Sequence, residues 1–179
     1  MVKNLVTKIL FLNVRKNGKL ETRGYLKNGL RHGFIKNYYS NGNIVSEGFY
    51  SNGSKNGHWK YYYESGFLSS ICNYHDGKKE GLREKFYPDK NPDIMIREYY
   101  KNGTKNGSWM KFYDSMDGGK VMIKGFYLND KMEGFWTRYD ENGTLRETEN
   151  YQEGNKSGIF QFFNRQGNLV DEKLYKSQI

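Results

Sequence analysis

Apolar and polar side chains alternate along this chain in runs of six to eight residues. Each run ends in a cluster of Asn, Gly, Ser or Asp. Alternation of period two is the mark of a strand with two unlike faces. No segment keeps a 3.6-residue apolar period, so almost no helix is expected. Runs such as His58–Glu64 and Asn43–Tyr50 therefore predict pairs of short antiparallel strands.

The runs recur. Gly33, Gly57, Gly81, Gly107, Gly134 and Gly158 are 24, 24, 26, 27 and 24 residues apart. Four residues before each stands a turn residue: Gly29, Gly53, Gly77, Gly103, Asp130 and Gly154. Seven before stands Leu26, Tyr50, Tyr74, Tyr100, Tyr127 and Tyr151, with Tyr175 opening a further cycle. An aliphatic column (Leu20, Ile44, Leu68, Ile94, Val121, Leu145, Leu169) lies six residues before that tyrosine position. Two residues after the glycine come Ile35, Trp59, Arg83, Trp109, Trp136 and Phe160; five after come Tyr38, Tyr62, Phe86, Phe112, Tyr139 and Phe163. Such periods signal a repeat architecture. The reading is an N-terminal segment over 1–8, then an array of about seven units over 9–179, with starts near 9, 33, 57, 81, 107, 134 and 158. The extra residues of the longer units fall around Pro88–Pro92 and Ser115–Gly119. A turn absorbs insertions there, whereas one inside a strand would invert every following side chain.

Eight Asn-Gly dipeptides, among them Asn41-Gly42 and Asn142-Gly143, accept the positive φ of tight hairpin turns. Within a unit, one strand starts at the repeat glycine and the next carries the aliphatic and tyrosine columns. A glycine-rich loop such as Ser51–Gly57 is expected to lead into the following unit. The six-residue offset places the aliphatic and tyrosine columns on one face. Small residues (Gly24, Gly48, Cys72, Gly125) fall between them, and Glu47, Arg97, Lys124 and Thr148 face the other way. The two ring columns after the glycine are three apart, so alternation separates them unless a bulge reunites them.

The string Y-x-N-G-x-x-x-G, at Tyr50–Gly57 and Tyr100–Gly107, resembles the MORN repeat. The stretch G-x-W-x-x-[YF]-Y, at Gly57–Tyr63 and Gly107–Tyr113, resembles the bacterial MORN variant found in antitoxin components of toxin–antitoxin modules. The resemblance runs from about Ile9 to Ile179. It implies an all-β, elongated, single-layer antiparallel sheet of tandem β-hairpin repeats, stabilised between neighbours as in other one-dimensional arrays. It also implies a binding scaffold, whose role is set by its surface rather than by its fold.

Composition narrows the function. Sixteen Tyr, eleven Phe and three Trp stand with 21 Gly and two Pro, which excludes disorder and a deep aliphatic core alike. A net charge of +9 favours acidic proteins, anionic lipid or nucleic acid over basic partners. With one cysteine, Cys72, no internal disulfide can form. Lys8 interrupts the early apolar residues, no signal peptide or membrane span is read, and a cytoplasmic protein without cofactor is expected.

Cys72, His75 and Asp76 form the one compact group with catalytic residue types. Positions three apart on a strand point to opposite faces, so cysteine and histidine cannot form a nucleophile–base pair. Two further ligands for a metal are missing. The carboxylates Asp140, Glu141, Glu147, Glu149 and Glu153 read as a solvated face or a contact for a basic partner. No catalytic or metal-binding residue is assigned. Two sets of binding residues are. The first is basic: Arg31, Lys55, Lys79, Lys105 and Lys156, two residues before the repeat glycines, with Lys131 beside Met132 filling the gap. Placed in loops, these would form a positive ladder along one margin of the sheet, suited to an acidic partner. The second comprises rings outside the columns: Tyr61, Tyr99, Phe126 and Phe162. The function expected is a non-catalytic protein-binding array, of antitoxin or immunity-inhibitor type. Its alternatives are a basic adaptor on anionic lipid, or an inhibitor that binds nucleic acid or nucleoprotein, phage-encoded inhibitors included.

Two outcomes follow from the sequence. Replacing an interior tyrosine of the column with Ala should lower stability by about 1–3 kcal/mol in urea titration, the cost of losing a partly buried ring. Cys72→Ala and His75→Ala should each leave biological activity intact, as judged beside circular dichroism of the folded proteins.

Overall fold

A short turn that forces two positive φ angles makes a hairpin, and this chain has one such turn per repeat. The structure is a computed structural model describing residues 8–89, 93–114 and 119–176. Residues 1–7 of the N-terminal segment, and 90–92 and 115–118 of the two longer turns, lie outside the described residues. The strands belong to an all-β open antiparallel sheet in which order follows the sequence, with no helix among the described residues.

Contacts divide the chain into two units. The first contains β1 (Ile9–Val14), β2 (Leu20–Lys27), β3 (Leu30–Arg31), β4 (Gly33–Tyr38), β5 (Ile44–Ser51), β6 (Ser54–Tyr62) and β7 (Leu68–His75). The division falls within β8 (Lys78–Phe86), between Glu80 and Gly81. The second unit continues with β9 (Ile94–Lys101), β10 (Thr104–Phe112), β11 (Val121–Leu128), β12 (Lys131–Tyr139), β13 (Leu145–Gln152), β14 (Asn155–Lys156), β15 (Gly158–Phe163) and β16 (Leu169–Tyr175).

The glycine-rich segment between repeats is not the loop the sequence suggested. It is a two-residue hairpin turn, as at Asn52-Gly53 (φ 46° and 85°) and Asn102-Gly103 (φ 52° and 91°), after which the chain is again a strand. Positive φ at both central residues is the type I′ signature, and its twist matches that of the flanking strands. Arg31, Lys55, Lys79, Lys105, Lys131 and Lys156 therefore lie in strands, not loops. The repeat glycine itself sits inside the paired region at a bulge. Gly57 has φ 69° and nothing within 4 Å of where a Cβ would be, so backbone conformation, not space, demands glycine there.

The two ends of the hairpins are tied to opposite neighbours, the type I′ end to the preceding repeat and the other end to the following one. At the type I′ end, Gly53 N–H donates to Arg31 O (2.9 Å), Gly77 to Lys55 O (2.8 Å), Asp130 to Lys105 O (2.9 Å) and Gly154 to Met132 O (2.9 Å). At the other end the Tyr39 hydroxyl donates to Tyr62 O (2.9 Å), Tyr87 to Phe112 O (2.8 Å) and Tyr113 to Tyr139 O (2.8 Å). This tyrosine column, six residues after the repeat glycine, has a structural role that periodicity alone did not disclose.

Buried side chains gather on one side of the sheet, here called the ring face. In the first unit Trp59 stands opposite Cys72 and Tyr61 opposite Ser70, and Tyr50 flanks Trp59 at 5.1 Å between ring centres. In the second unit Trp109, Tyr127, Trp136, Tyr151, Phe160 and Tyr175 follow one another at 4.5–6.4 Å. The ring two residues after the repeat glycine lies down across the preceding strand. A Cβ on Gly48 would come within 2.5 Å of the Trp59 ring, and one on Gly125 within 2.1 Å of Trp136. That explains the small-residue column.

The aliphatic column does not simply align with the tyrosines. In the hairpins closed by the longer turns one unpaired residue shifts the register, so that Leu68 opposes Tyr62, Ile44 opposes Tyr38 and Leu145 opposes Tyr139. The expected shared face relied on uninterrupted alternation, and the bulge breaks it. The second ring column, three residues from the first, falls on the reverse face. There the Tyr62 hydroxyl donates to Glu47 (2.7 Å), and Arg97 and Lys124 lie over Phe112 and Tyr139.

Gly48→Ala and Gly57→Ala should both destabilise, for different reasons. The first forces Trp59 off the sheet, and Trp59→Leu should relieve part of its cost. The second places a Cβ in the left-handed region at about 1–2 kcal/mol, which no change at Trp59 recovers. A double-mutant cycle in urea separates the two.

Candidate functional site

A single sheet offers two surfaces, and the sequence places different chemistry on each. On the ring face, the strand position two residues before the repeat glycine is opposite the tyrosine column: Arg31 pairs with Leu26, Lys55 with Tyr50, Lys105 with Tyr100 and Lys156 with Tyr151. The cations lie across rings. Lys55 Nζ is 4.3 Å from the Trp59 ring centre, 5.0 Å from Tyr61 and 5.2 Å from Tyr74, and it donates to the Tyr61 hydroxyl at 2.8 Å. Lys105 lies 4.9 Å over Tyr127, Lys156 4.9 Å over Phe160 and Arg31 5.6 Å over Tyr50. Each such contact stabilises by about 0.5–2 kcal/mol, depending on desolvation. Burial pushes the Lys55 ammonium below its ordinary value, and Arg31 and Lys79 act in the same direction. Burial also pushes the Tyr61 phenol well above its usual range, reinforced by its hydrogen bond with Tyr74.

Lys131 does not fill the gap left by Met132. It opposes Leu128, whereas Met132 opposes Tyr127, so Lys131 lies on the reverse face, 3.7 Å from Glu153. Lys79 lies in β8.

Where the small-residue column carries glutamate, cations close around it. Glu98, only 3% exposed, meets Arg83 at 2.9 Å, Lys105 at 3.4 Å and the Tyr100 hydroxyl at 3.1 Å. Burial alone raises the Glu98 carboxyl, but Lys105, Arg83 and Tyr100 outweigh it and hold the group below the ordinary carboxylate range. Burial and the adjacent Glu98 carboxylate push the Tyr100 phenol up to about 12, against the opposing pull of Arg83. Arg83 thus departs from the Trp-type column because it answers Glu98. In the second instance Arg138 spans Glu147 (3.1 Å) and buried Glu149 (3.4 Å), which also accepts from the Tyr151 hydroxyl (3.2 Å). Burial and the neighbouring Glu149 raise the Glu147 carboxyl. The acidic pair is therefore an internal ion cluster.

The reverse face carries ion pairs, Lys36–Glu47 (3.0 Å) and Arg97–Glu84 (2.9 Å), and beside them a row of exposed apolar side chains. The row occupies the position one after the repeat glycine and its cross-strand partner. In the first unit it holds Leu10, Tyr25, Phe34 and Phe49, the last two edge to face at 5.2 Å. A shallow depression of about 240 Å³ beside them is lined by Arg23, Tyr25, Phe34, Lys36 and Tyr38. In the second unit it holds Leu82, Tyr99, Phe126, Phe135, Ile159 and Leu174. Phe49 is 54% exposed and Phe135 75%.

The four rings singled out by sequence divide between the faces. Tyr61 and Phe162 lie half-buried on the ring face, opposite Ser70 and Glu147, while Tyr99 and Phe126 are exposed in the reverse-face row. Most of that row escaped the sequence reading, because its positions mix Phe, Leu and Ile with His58, Ser108, Asn73 and Asn150. Cys72 is buried opposite Trp59, whereas His75 and Asp76 are exposed at the turn, with 3.7 Å between His75 Nε2 and the carboxylate. Among the described residues no group of three His, Cys, Asp or Glu side chains could hold a metal ion. No described helix is long and apolar enough to cross a membrane.

Residues 31–52, 55–76 and 132–153 match the family described as MORN repeat variant. Each matched segment begins at the position two before a repeat glycine and runs through the tyrosine column to the next type I′ turn. These three segments are similar to MORN repeats, which are generally modules for binding. No curated protein matches the chain.

The Glu98 cluster makes stability depend on pH. A carboxyl held below its unfolded value contributes stability in full above that value, about 4.3 for Glu, and loses it as pH falls through the folded value. Urea titrations from pH 7 to pH 2.5 should show stability falling at the acid end for the wild type. Glu98→Gln should be less stable at pH 7, since it leaves Arg83 without its carboxylate, and should show a flatter acid limb.

Proposed function

We propose that the chain is a non-catalytic protein-binding array that meets its partner with the reverse face. The observation that supports this reading is the row of exposed apolar side chains on that face of each unit, in which Phe49 and Phe135 are the most exposed rings. Exposed apolar patches beyond scattered single residues mark contact surfaces, and desolvated aromatic anchors supply most of the affinity at an interface. On the ring face, by contrast, the largest rings are covered by the protein's own lysines and tyrosines.

The basic residues Arg31, Lys55, Lys79, Lys105 and Lys156 then act at a distance. With a net charge of +9 they favour an acidic partner and speed its approach, while the rings retain it. In its more specific form this is an inhibitor of antitoxin or immunity type, which silences its partner by occupying that partner's surface. Binding to anionic lipid or nucleic acid is the competing reading, and net charge is its support.

The test uses the purified chain as bait in an extract of its source cells, in wild-type form and as Phe49→Glu combined with Phe135→Glu. Both positions are exposed, so circular dichroism should not change. One acidic protein should be retained by the wild type and lost from the variant, and its affinity should fall with salt mainly through slower association. Equal retention by both forms would remove the reverse face from the interaction. Capture of anionic vesicles or oligonucleotides, undiminished in the variant, would replace the reading with the competing one.

A further inference from the structure

An open sheet ends in two edge strands, each presenting unpaired backbone donors and acceptors that another strand can meet. Among the described strands the edges are β1 and β16. They differ in chemistry. β16, Leu-Val-Asp-Glu-Lys-Leu-Tyr, carries Asp171, Glu172 and Lys173 at its centre, the kind of charge by which proteins blunt an edge. β1, Ile-Leu-Phe-Leu-Asn-Val, carries no charge at any of its six positions, and Ile9, Leu10, Leu12 and Val14 are all exposed.

We infer that β1 is a self-association edge, along which two copies of this chain pair antiparallel about a two-fold axis. The occupant of such an edge must be an extended strand that brings no charge against Leu10 and Leu12. β1 of a second copy meets that requirement, and β16 of a second copy does not, because its central charges would be desolvated against leucine. The two-fold operation is self-consistent. Antiparallel pairing about an axis centred on Phe11 or Leu12 opposes residues of the same parity. Leu10 and Leu12 then meet apolar residues, and Phe11, which stands opposite Gly24 on the ring face, continues that face into the second copy. Pairing through β1 consumes the unguarded edge of both copies and leaves only guarded β16 edges outside. The assembly therefore closes at two. One strand pair buries less than a standard interface of roughly 1,200–2,000 Å², so the dimer dissociates in a range on the order of micromolar. Because each copy carries +9, association strengthens as salt rises, opposite to the dependence expected for the acidic partner.

Sedimentation equilibrium of the full chain, across a wide concentration range at low and high salt, tests this. The wild type should move from one to two times 21.1 kDa, with the balance shifted toward two at high salt. Leu12→Lys, at a position 56% exposed, should remain monomeric with an unchanged melting temperature. Val170→Lys, on β16, should dimerise like the wild type. A wild type that stays monomeric throughout overturns the proposal, whether or not an extended peptide from another protein binds the edge. So does association abolished by Val170→Lys but not by Leu12→Lys, association unaffected by both, or growth beyond two copies.

Discussion

A sheet without a second layer has nothing to bury its side chains against except itself. The rings must therefore lie down on the neighbouring strand, and a ring can lie flat only where that strand has no side chain. Trp59 over Gly48 and Trp136 over Gly125 show the requirement in its strict form: a Cβ at either glycine would sit 2.1–2.5 Å from the indole, well inside contact distance. Other features of the ring face adjust to it. The bulge at the repeat glycine sets the strand register, and the flanking tyrosines close over the indole edge to face. Lysine then caps the rings from the remaining open side. Stability in such an arrangement resides in contacts between adjacent repeats, which is why the type I′ turn bonds back to the preceding repeat and the tyrosine hydroxyl at the opposite end bonds to the following one.

Two repeats use a different solution. At Glu98 and Glu149 a buried carboxylate occupies the column that holds glycine at 24, 48 and 125 and cysteine at 72, and an arginine closes on it. Buried ion pairs seldom stabilise more than well-packed apolar groups of the same volume, but they penalise misalignment heavily. Repeats so alike in their columns could pair one unit out of step. Arg83 and Glu98 find each other only when β8 and β9 are in the observed register.

The lysine positions illustrate how one residue serves at two ranges. Locally, Lys55, Lys105 and Lys156 are packing residues whose stems and charges cover rings, and the Lys55 and Lys105 backbone carbonyls hold the next turn. At long range the same charges still contribute to the field of a strongly basic protein. In the proposed function short-range recognition is left to the reverse face, where the ion pairs Lys36–Glu47 and Arg97–Glu84 are mutually satisfied and Phe49, Phe126 and Phe135 are exposed.

Repeat length, turn positions and the all-β class were legible in the sequence because they depend on local rules: alternation, Asn-Gly chemistry and the recurrence of glycine. Even the tolerance for small residues at Gly24, Gly48, Cys72 and Gly125 was visible as a column, though not its cause. The tertiary structure alone decided which face each side chain joined. A bulge changes facing by one residue without leaving any mark in composition, so the aliphatic column moved out of line with the tyrosines. Lys131 fell on the face opposite Lys105 and Lys156 because it stands one position away from their column on the strand. It likewise decided that the lysines lie over rings and that the exposed row is a row at all. Whether a side chain is covered depends on its cross-strand neighbours, and those come from other repeats at a register that no single repeat contains.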